Sequence, residues 1–362
     1  MKRHISIVLM ATWDCVLFCA YCYVRATRRN RSSIHQNQLE TLMKNCSEGY
    51  DSLEFCWHGG EPLLLGKDFY RKVVKIQERI SEQTGVKFEN VIQTNGVLLD
   101  EEWLKLIKEI NFSVGLSIDA PIEMHLKYRP HCNRNMKLED WKKIWELVKY
   151  YRGSLGCLCV VTKDNVTRAK EIFDLFKELG ASTYSLLPLK KMPNLDCPES
   201  PSNEALAKLY CDTFELWTNT PNTFTSIEPL ETMVAGILGR RPLLCSFSAS
   251  CLKRMITIDP SGNIVPCASL IADKFVLGNI FEETLIRVMN NKKVRDFKNK
   301  RQASMNKYCN NCEYIAICRG GCRNTAFWTS NDYELSKYPY CESRKRTFNY
   351  LRVRLREILT PT

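Results

Sequence analysis

Short apolar runs recur along the first two thirds of the chain, separated by charged, amphipathic stretches. Six of them are ISIVLM (5–10), SLEFCWH (52–58), FENVIQT (88–94), FSVGLSI (112–118), GCLCVVT (156–162) and STYSLLPL (182–189). Near-continuous hydrophobicity over so few residues reads as strands buried on both faces. DEEWLKLIKEI (100–110) and TRAKEIFDLFKELG (167–180) carry the helical period, and the second ends on Gly180, a natural residue for a helix C-terminus. Six strand–helix units predict an α/β fold, a parallel sheet with helices outside, and the alternation fits a doubly wound sheet or a barrel. The strands end in HGGEP, QTNG, SIDAP and VTKDN. In both folds ligands bind at the C-terminal ends of strands, so these groups are expected to converge.

The alternation stops after the helical stretch NEALAKLYCDTFELW (203–217). From Cys245 the chain is cysteine-rich, with a short strand RMITID (254–259), a turn PSGN (260–263) and a closing amphipathic helix RKRTFNYLRVRLREIL (344–359). The expected organisation is a first domain over 1–225, a linking helix over 226–244, a second domain over 245–345 and a terminal helix over 346–362.

The composition narrows the function classes. With 362 residues and 44% hydrophobic content the chain is long enough for one large domain and a smaller one. No apolar run reaches membrane-spanning length, and the apolar segment after the N-terminal basic residues lacks a small-residue cleavage site, so a buried strand is expected there. The formal charge is +12, with local runs at RATRRNR (25–31) and 344–356. Such runs are ordinarily solvated faces; no nucleic-acid partner is expected, and a basic rim suits an acidic peptide or an acidic electron carrier such as flavodoxin or ferredoxin. Eighteen cysteines, eleven of them in two constellations and seven scattered, without a secretion signal, favour metal ligation in a reducing cytoplasm.

Two constellations carry the chemistry. CVLFCAYC places Cys15, Cys19 and Cys22 in a C-x3-C-x2-C spacing just after the first strand. Three thiolates on a four-iron cluster leave one iron open, and an open metal position is the usual sign of a catalytic centre. The tail supplies Cys245, Cys251, Cys267, Cys309, Cys312, Cys318, Cys322 and Cys341, enough for two fully ligated clusters. Taken alone, CNNCEYIAICRGGC (309–322) leaves structural zinc in contention. The other seven cysteines match no ligand spacing and are expected to be structural.

At these residues the chain resembles the radical S-adenosylmethionine (SAM) superfamily, whose C-x3-C-x-aromatic-C signature Tyr21 completes. The resemblance implies a partial (β/α)6 barrel and a 4Fe–4S cluster whose open iron chelates SAM, yielding a 5′-deoxyadenosyl radical on reduction. It implies that Gly59, Gly60 and Glu61 of the GGEP element meet the SAM amino group, glycine permitting close backbone approach. Ser117 and Arg129 would contact SAM, the guanidinium taking its carboxylate. Gln93 and Asn95 would bind SAM or substrate, and Leu189 the adenine. The tail resembles the SPASM extension, which implies one auxiliary 4Fe–4S cluster on Cys245, Cys251, Cys267 and Cys322 and another on Cys309, Cys312, Cys318 and Cys341.

In outline the chain is similar to anaerobic sulfatase-maturating enzymes, which oxidise a Cys or Ser of a protein substrate to formylglycine. One departure stands out. Those enzymes carry an Asp after the third tail cysteine, proposed as a base, and Ala268 occupies that place here. Alanine cannot take a proton. The preferred expectation is therefore a peptide maturase that installs a thioether or carbon–carbon crosslink in a ribosomally made peptide. The alternatives are a sulfatase maturase, a small-molecule dehydrogenase or epimerase, and a non-enzymatic iron–sulfur carrier. The catalytic strand begins at about residue 5, so an N-terminal leader-recognition domain is expected to be absent. A separate leader-binding protein, the barrel rim or the basic C-terminal helix would take that role. Tyr23, His58, Asp119 and Asp273 are the candidate catalytic acids or bases.

Overall fold

The computed structural model describes residues 3–27, 32–133, 135–150, 155–190, 197–242, 244–249, 251–330 and 336–360. The basic run at 25–31 lies partly outside them. In chain order the strands are β1 (His4–Thr12), β2 (Ser52–Gly59), β3 (Lys87–Thr94), β4 (Ser113–Ser117), β5 (Leu155–Val161), β6 (Thr183–Pro188), β7 (Ser226–Glu228), β8 (Met255–Ile258), β9 (Asn263–Val265) and β10 (Gly278–Asn279). All six expected barrel strands are present, displaced by no more than two residues at either end. Two compact units emerge from the packing. One combines residues 1–117, 130–154 and 251–299, the other 118–129, 155–250 and 300–362.

In the first unit β1 to β4 pair in parallel in sequence order. The connecting helices are Lys67–Thr84, closed by left-handed Gly85, and Glu101–Glu109, whose Asp100 cap accepts from the Trp103 N–H at 2.6 Å. β8 was not foreseen as part of this sheet. It lies parallel to β1, with Ser6 opposite Met255, and carries β9 and β10 antiparallel beyond it. The core is built on Trp57, fully buried and edge-on to Phe69 and Tyr70, with its indole N–H donating to Asn90 Oδ1 at 3.0 Å.

In the second unit β5, β6 and β7 are parallel. The helix Asn203–Thr218 is capped by the Ser202 hydroxyl and packs against the terminal helix Cys341–Leu359, which starts earlier than the expected 346. Arg354 grips Glu215 with Nε and Nη2 at 2.8 and 2.9 Å. Arg352 donates to Glu313. These contacts make one face of the basic terminal helix a packing element. The expected linking helix is short, Leu230–Ile237. Among the described residues no helix is long and apolar enough to cross a membrane.

Trp57→Ala removes a fully buried indole from the first core, leaving Asn90 paired with Gln77 alone. Its expected cost is about 3–5 kcal/mol, read as a lowered midpoint of chemical denaturation in the first unit.

Candidate functional site

The cysteine loop leaves β1 at Thr12 and is fixed by backbone contacts to the GGEP turn. The Gly60 N–H donates to Thr12 O and the Glu61 N–H to Asp14 O, both at 2.7 Å. A Cβ on Gly59, whose φ is +116°, would run into Thr12 O, and one on Gly60 would run into Asp14 O. The close approach that these glycines permit is therefore to the cysteine loop itself. Glu61 is fully buried. Its Oε1 accepts from the Leu63 N–H and the Thr94 hydroxyl, and its Oε2 from the Asn95 N–H at 2.9 Å. Burial pushes its carboxyl up to about 7, although all three bonds favour the ionised form. These bonds make Glu61 a clamp between the turn and the end of β3.

Cys15, Cys19 and Cys22 stand half-buried on this loop. Burial pushes the Cys15 thiol up to about 12, and Cys22 is close enough to add to that. Two N–H groups aim at the Cys15 sulfur, from Leu17 backbone at 3.4 Å and Asn95 Nδ2 at 3.6 Å. Such donors suit a sulfur that carries negative charge, so the donor set fits an iron–sulfur cluster. Asn95, expected as a SAM or substrate contact, is thereby placed at the cysteine loop. Gln93 donates to the Ser117 hydroxyl at 2.9 Å, which brings two expected contact residues together at the ends of β3 and β4.

Beside this loop Tyr23 Oη lies 3.4 Å from His58 Nε2. The Gly59 N–H donates to His58 Nδ1 at 2.8 Å, so the neutral ring carries its proton on Nε2 and donates to the tyrosine. Burial lowers the His58 pKa to about 4 and holds the Tyr23 phenol well above its usual value, with Cys22, Cys267 and Cys56 adding to the latter. Ala268 packs against the same group, which includes Trp13, Val24, Cys22 and Tyr23. Asp273 is exposed on a short turn, Asp273–Phe275, a poor setting for a base.

In the second unit Asp119 and Arg129 form a buried pair, with Nε to Oδ2 at 3.0 Å and Nη2 to Oδ1 at 3.1 Å. Oδ1 also accepts from the Val160 N–H. These bonds make Asp119 a carboxylate that positions Arg129. The Leu189 carbonyl accepts from Tyr340 Oη at 2.7 Å. The tail thiols Cys309, Cys312, Cys318 and Cys341 of this unit gather together; burial and then the other three raise the pKa of Cys309. Among the described residues no three His, Cys, Asp or Glu stand at single-ion spacing.

Comparison with known proteins agrees with this arrangement. The family model of the Radical SAM superfamily matches residues 12–176, and that of SPASM, an iron–sulfur cluster-binding domain, matches residues 245–313. The chain belongs to the radical SAM superfamily and carries a SPASM domain. Its fold is the partial (β/α)6 barrel with a cysteine-rich extension. It is a radical SAM oxidoreductase, and its cofactors are SAM and three 4Fe–4S clusters, one that binds SAM and two auxiliary. The chain is 29% identical to a cysteine-type anaerobic sulfatase-maturating enzyme of Clostridium perfringens, over 95% of each chain. It is 25% identical to a serine-type enzyme of Bacteroides thetaiotaomicron, over 93% of this chain and 86% of the relative. Native anSMEcpe with bound AdoMet and Cp18Cys peptide superposes at a TM-score of 0.84, with 27% identity and 98% of each chain covered. Streptococcus suis SuiB bound to precursor peptide SuiA reaches 0.67 at 17% identity, a likeness of fold alone.

Gly60→Ala is expected to displace the Asp14 carbonyl and with it the cysteine loop. After anaerobic reconstitution, iron content should fall by about four per chain, one 4Fe–4S cluster. Gly180→Ala, a positive-φ position with open space around it, should leave the iron content unchanged.

Proposed function

We propose that the enzyme oxidises a cysteine side chain of a peptide or protein substrate, as sulfatase maturation does, in preference to installing a crosslink. The relatives support this shift from the crosslinking reading, since sulfatase-maturating enzymes of both types match nearly the whole chain. The observation that carries the cysteine preference is the neutral Tyr23–His58 pair beside Ala268. No carboxylate stands in place of the relatives' Asp. His58 Nδ1 already accepts a bond, and its Nε2 already bears a proton, so the ring is not poised to take another. The phenol of Tyr23 is a hydrogen-bond donor. A cysteine thiol ionises at a pKa of about 8.5 and manages without a strong base, whereas a serine hydroxyl does not.

In this reading Cys15, Cys19 and Cys22 hold the SAM-binding cluster. Cys309, Cys312, Cys318 and Cys341 hold one auxiliary cluster, and Cys245, Cys251, Cys267 and Cys322 the other. SAM bound at the Cys15, Cys19 and Cys22 cluster would supply hydrogen-atom-abstraction chemistry at the substrate. The chain contributes the rest. Asn95 and Leu17 hold the Cys15 sulfur, Arg129 is oriented by Asp119 for the SAM carboxylate, and Gln93 and Ser117 line the approach. Tyr23, oriented by His58, donates to the substrate sulfur and favours the thiolate over the thiol. The proposed domain limits are those read from the sequence, 1–225, 226–244, 245–345 and 346–362. A cytoplasmic location suits eighteen free thiols, and the charge of +12 suits flavodoxin or ferredoxin as electron donor.

The test pairs two peptides with a sulfatase-type sequence, differing in a central Cys or Ser. With SAM and reductant, the Cys peptide should lose two hydrogens and exchange its sulfur, released as hydrogen sulfide, for a carbonyl oxygen from water, read by mass spectrometry with release of 5′-deoxyadenosine, and the Ser peptide should remain. Loss of hydrogen alone, with an internal crosslink, would return the reading to a crosslinking maturase. Tyr23→Phe should lower turnover about a hundredfold while iron content and SAM binding persist.

A further inference from the structure

Arg344 stands on the terminal helix with 5% of its surface exposed. Its guanidinium carbon lies 3.6 Å from the ring centre of Phe247 and 4.5 Å from that of Tyr338, so the plane is held between two aromatic rings. Nη1 donates to the Ser246 carbonyl at 3.0 Å and to the Cys318 sulfur at 3.3 Å; Nη2 donates to the Ser246 hydroxyl at 3.3 Å. Among the described residues no carboxylate pairs with it. A buried guanidinium without a counter-charge is strongly unfavourable. Two other buried arginines of this unit spend donors differently. Arg301 donates to the carbonyls of Arg319 and Gly321, and Arg323 to the Ser304 hydroxyl and the Ser336 carbonyl.

The negative charge that answers Arg344 is therefore to be sought at Cys318. A four-iron cluster on Cys309, Cys312, Cys318 and Cys341 supplies it, because its thiolates carry net negative charge onto the ligand sulfurs. We propose that Arg344 sets the reduction potential of this auxiliary cluster, raising it so that the cluster accepts an electron readily. The inference rests on the ligand assignment made above. Its physics is direct: reduction adds a negative charge to a group already bonded to a fixed cation, in a site that water screens weakly. Lys337 and Lys345 also lie near Cys341, but their side chains are 53% and 40% exposed, and solvent screens them. Arg344 is a positioning and tuning residue, acting through the sulfur of Cys318.

The experiment uses the full chain carrying Cys15→Ala, Cys19→Ala and Cys22→Ala, which leaves the two auxiliary clusters, and follows each by electron paramagnetic resonance during a redox titration. In Arg344→Gln one midpoint should fall and the other stay. At a fixed solution potential the ratio of reduced to oxidised cluster should drop about tenfold, equivalent to ~59 mV for one electron. Arg344→Lys, which keeps the charge, should recover most of the shift. Two unchanged midpoints in Arg344→Gln with iron retained would overturn the proposal. If Arg344→Gln sheds iron, Arg344→Lys decides. Retention of iron and midpoint supports the charge effect, whereas loss in both variants makes Arg344 a packing residue and overturns it. Cys309→Ala with Cys312→Ala in the same background must abolish the midpoint that Arg344 moves. Persistence of both midpoints there would sink the ligand assignment separately.

Discussion

The site depends on the backbone contact between the cysteine loop and the GGEP turn. Two short hydrogen bonds join Gly60 and Glu61 to Thr12 and Asp14, and no side chain fits between the two strands of chain. A loop of eight residues with three thiols has many conformations, and a cluster needs one of them. Glu61 supplies the constraint from below. Its buried carboxylate collects donors from Leu63, Thr94 and Asn95, so the turn, the end of β3 and the loop move as one. Asn95 then passes that rigidity on to the Cys15 sulfur. The ordering that a cofactor would otherwise have to impose is already present in the polypeptide.

The same logic appears with opposite sign at the other end of the chain. Glu61 is an acid whose neighbours satisfy its oxygens, and Arg344 is a base whose neighbours leave its charge unanswered. Both are buried at the edge of a cysteine group. In the first case burial is compensated locally, so the residue acts as a structural clamp. In the second it is compensated through a sulfur, so the residue is coupled to whatever charge that sulfur carries. Burial alone does not separate these roles; the identity of the acceptor does.

Much of this was legible in the sequence because strands buried on both faces announce themselves by hydrophobicity alone. The six barrel strands appear where the apolar runs placed them, and Gly180 does close its helix in a left-handed conformation. The parallel pairing of β8 with β1 was not legible, because a strand of four residues more than two hundred positions away leaves no periodic mark of its partner. The long polar helix Lys292–Cys309 was missed for a related reason, its apolar stripe being weak. Among the site residues, identity predicted capability but not partner. The sequence offered Asp119, Glu61 and Asn95 as site residues without showing that they hydrogen-bond to Arg129, Thr94 and Cys15. The value of Arg344 was hidden inside a basic run that looked like a solvated face.

Ala268 shows how one residue can change the chemical demand on a site without changing its shape. Ala268 packs against the buried group of Met10, Trp13 and Val24, against which Tyr23 also packs. What is lost is a place to put a proton. The neighbouring His58 cannot supply it, since the Gly59 N–H fixes its tautomer and burial keeps it neutral. The Tyr23 hydroxyl, 3.4 Å from His58 Nε2, is a neutral phenol and so a donor rather than a base. A donor stabilises an anion already formed but does not create one. On the proposed reading the substrate brings the acidic group itself, and a thiol is acidic enough near neutral pH where a hydroxyl is not.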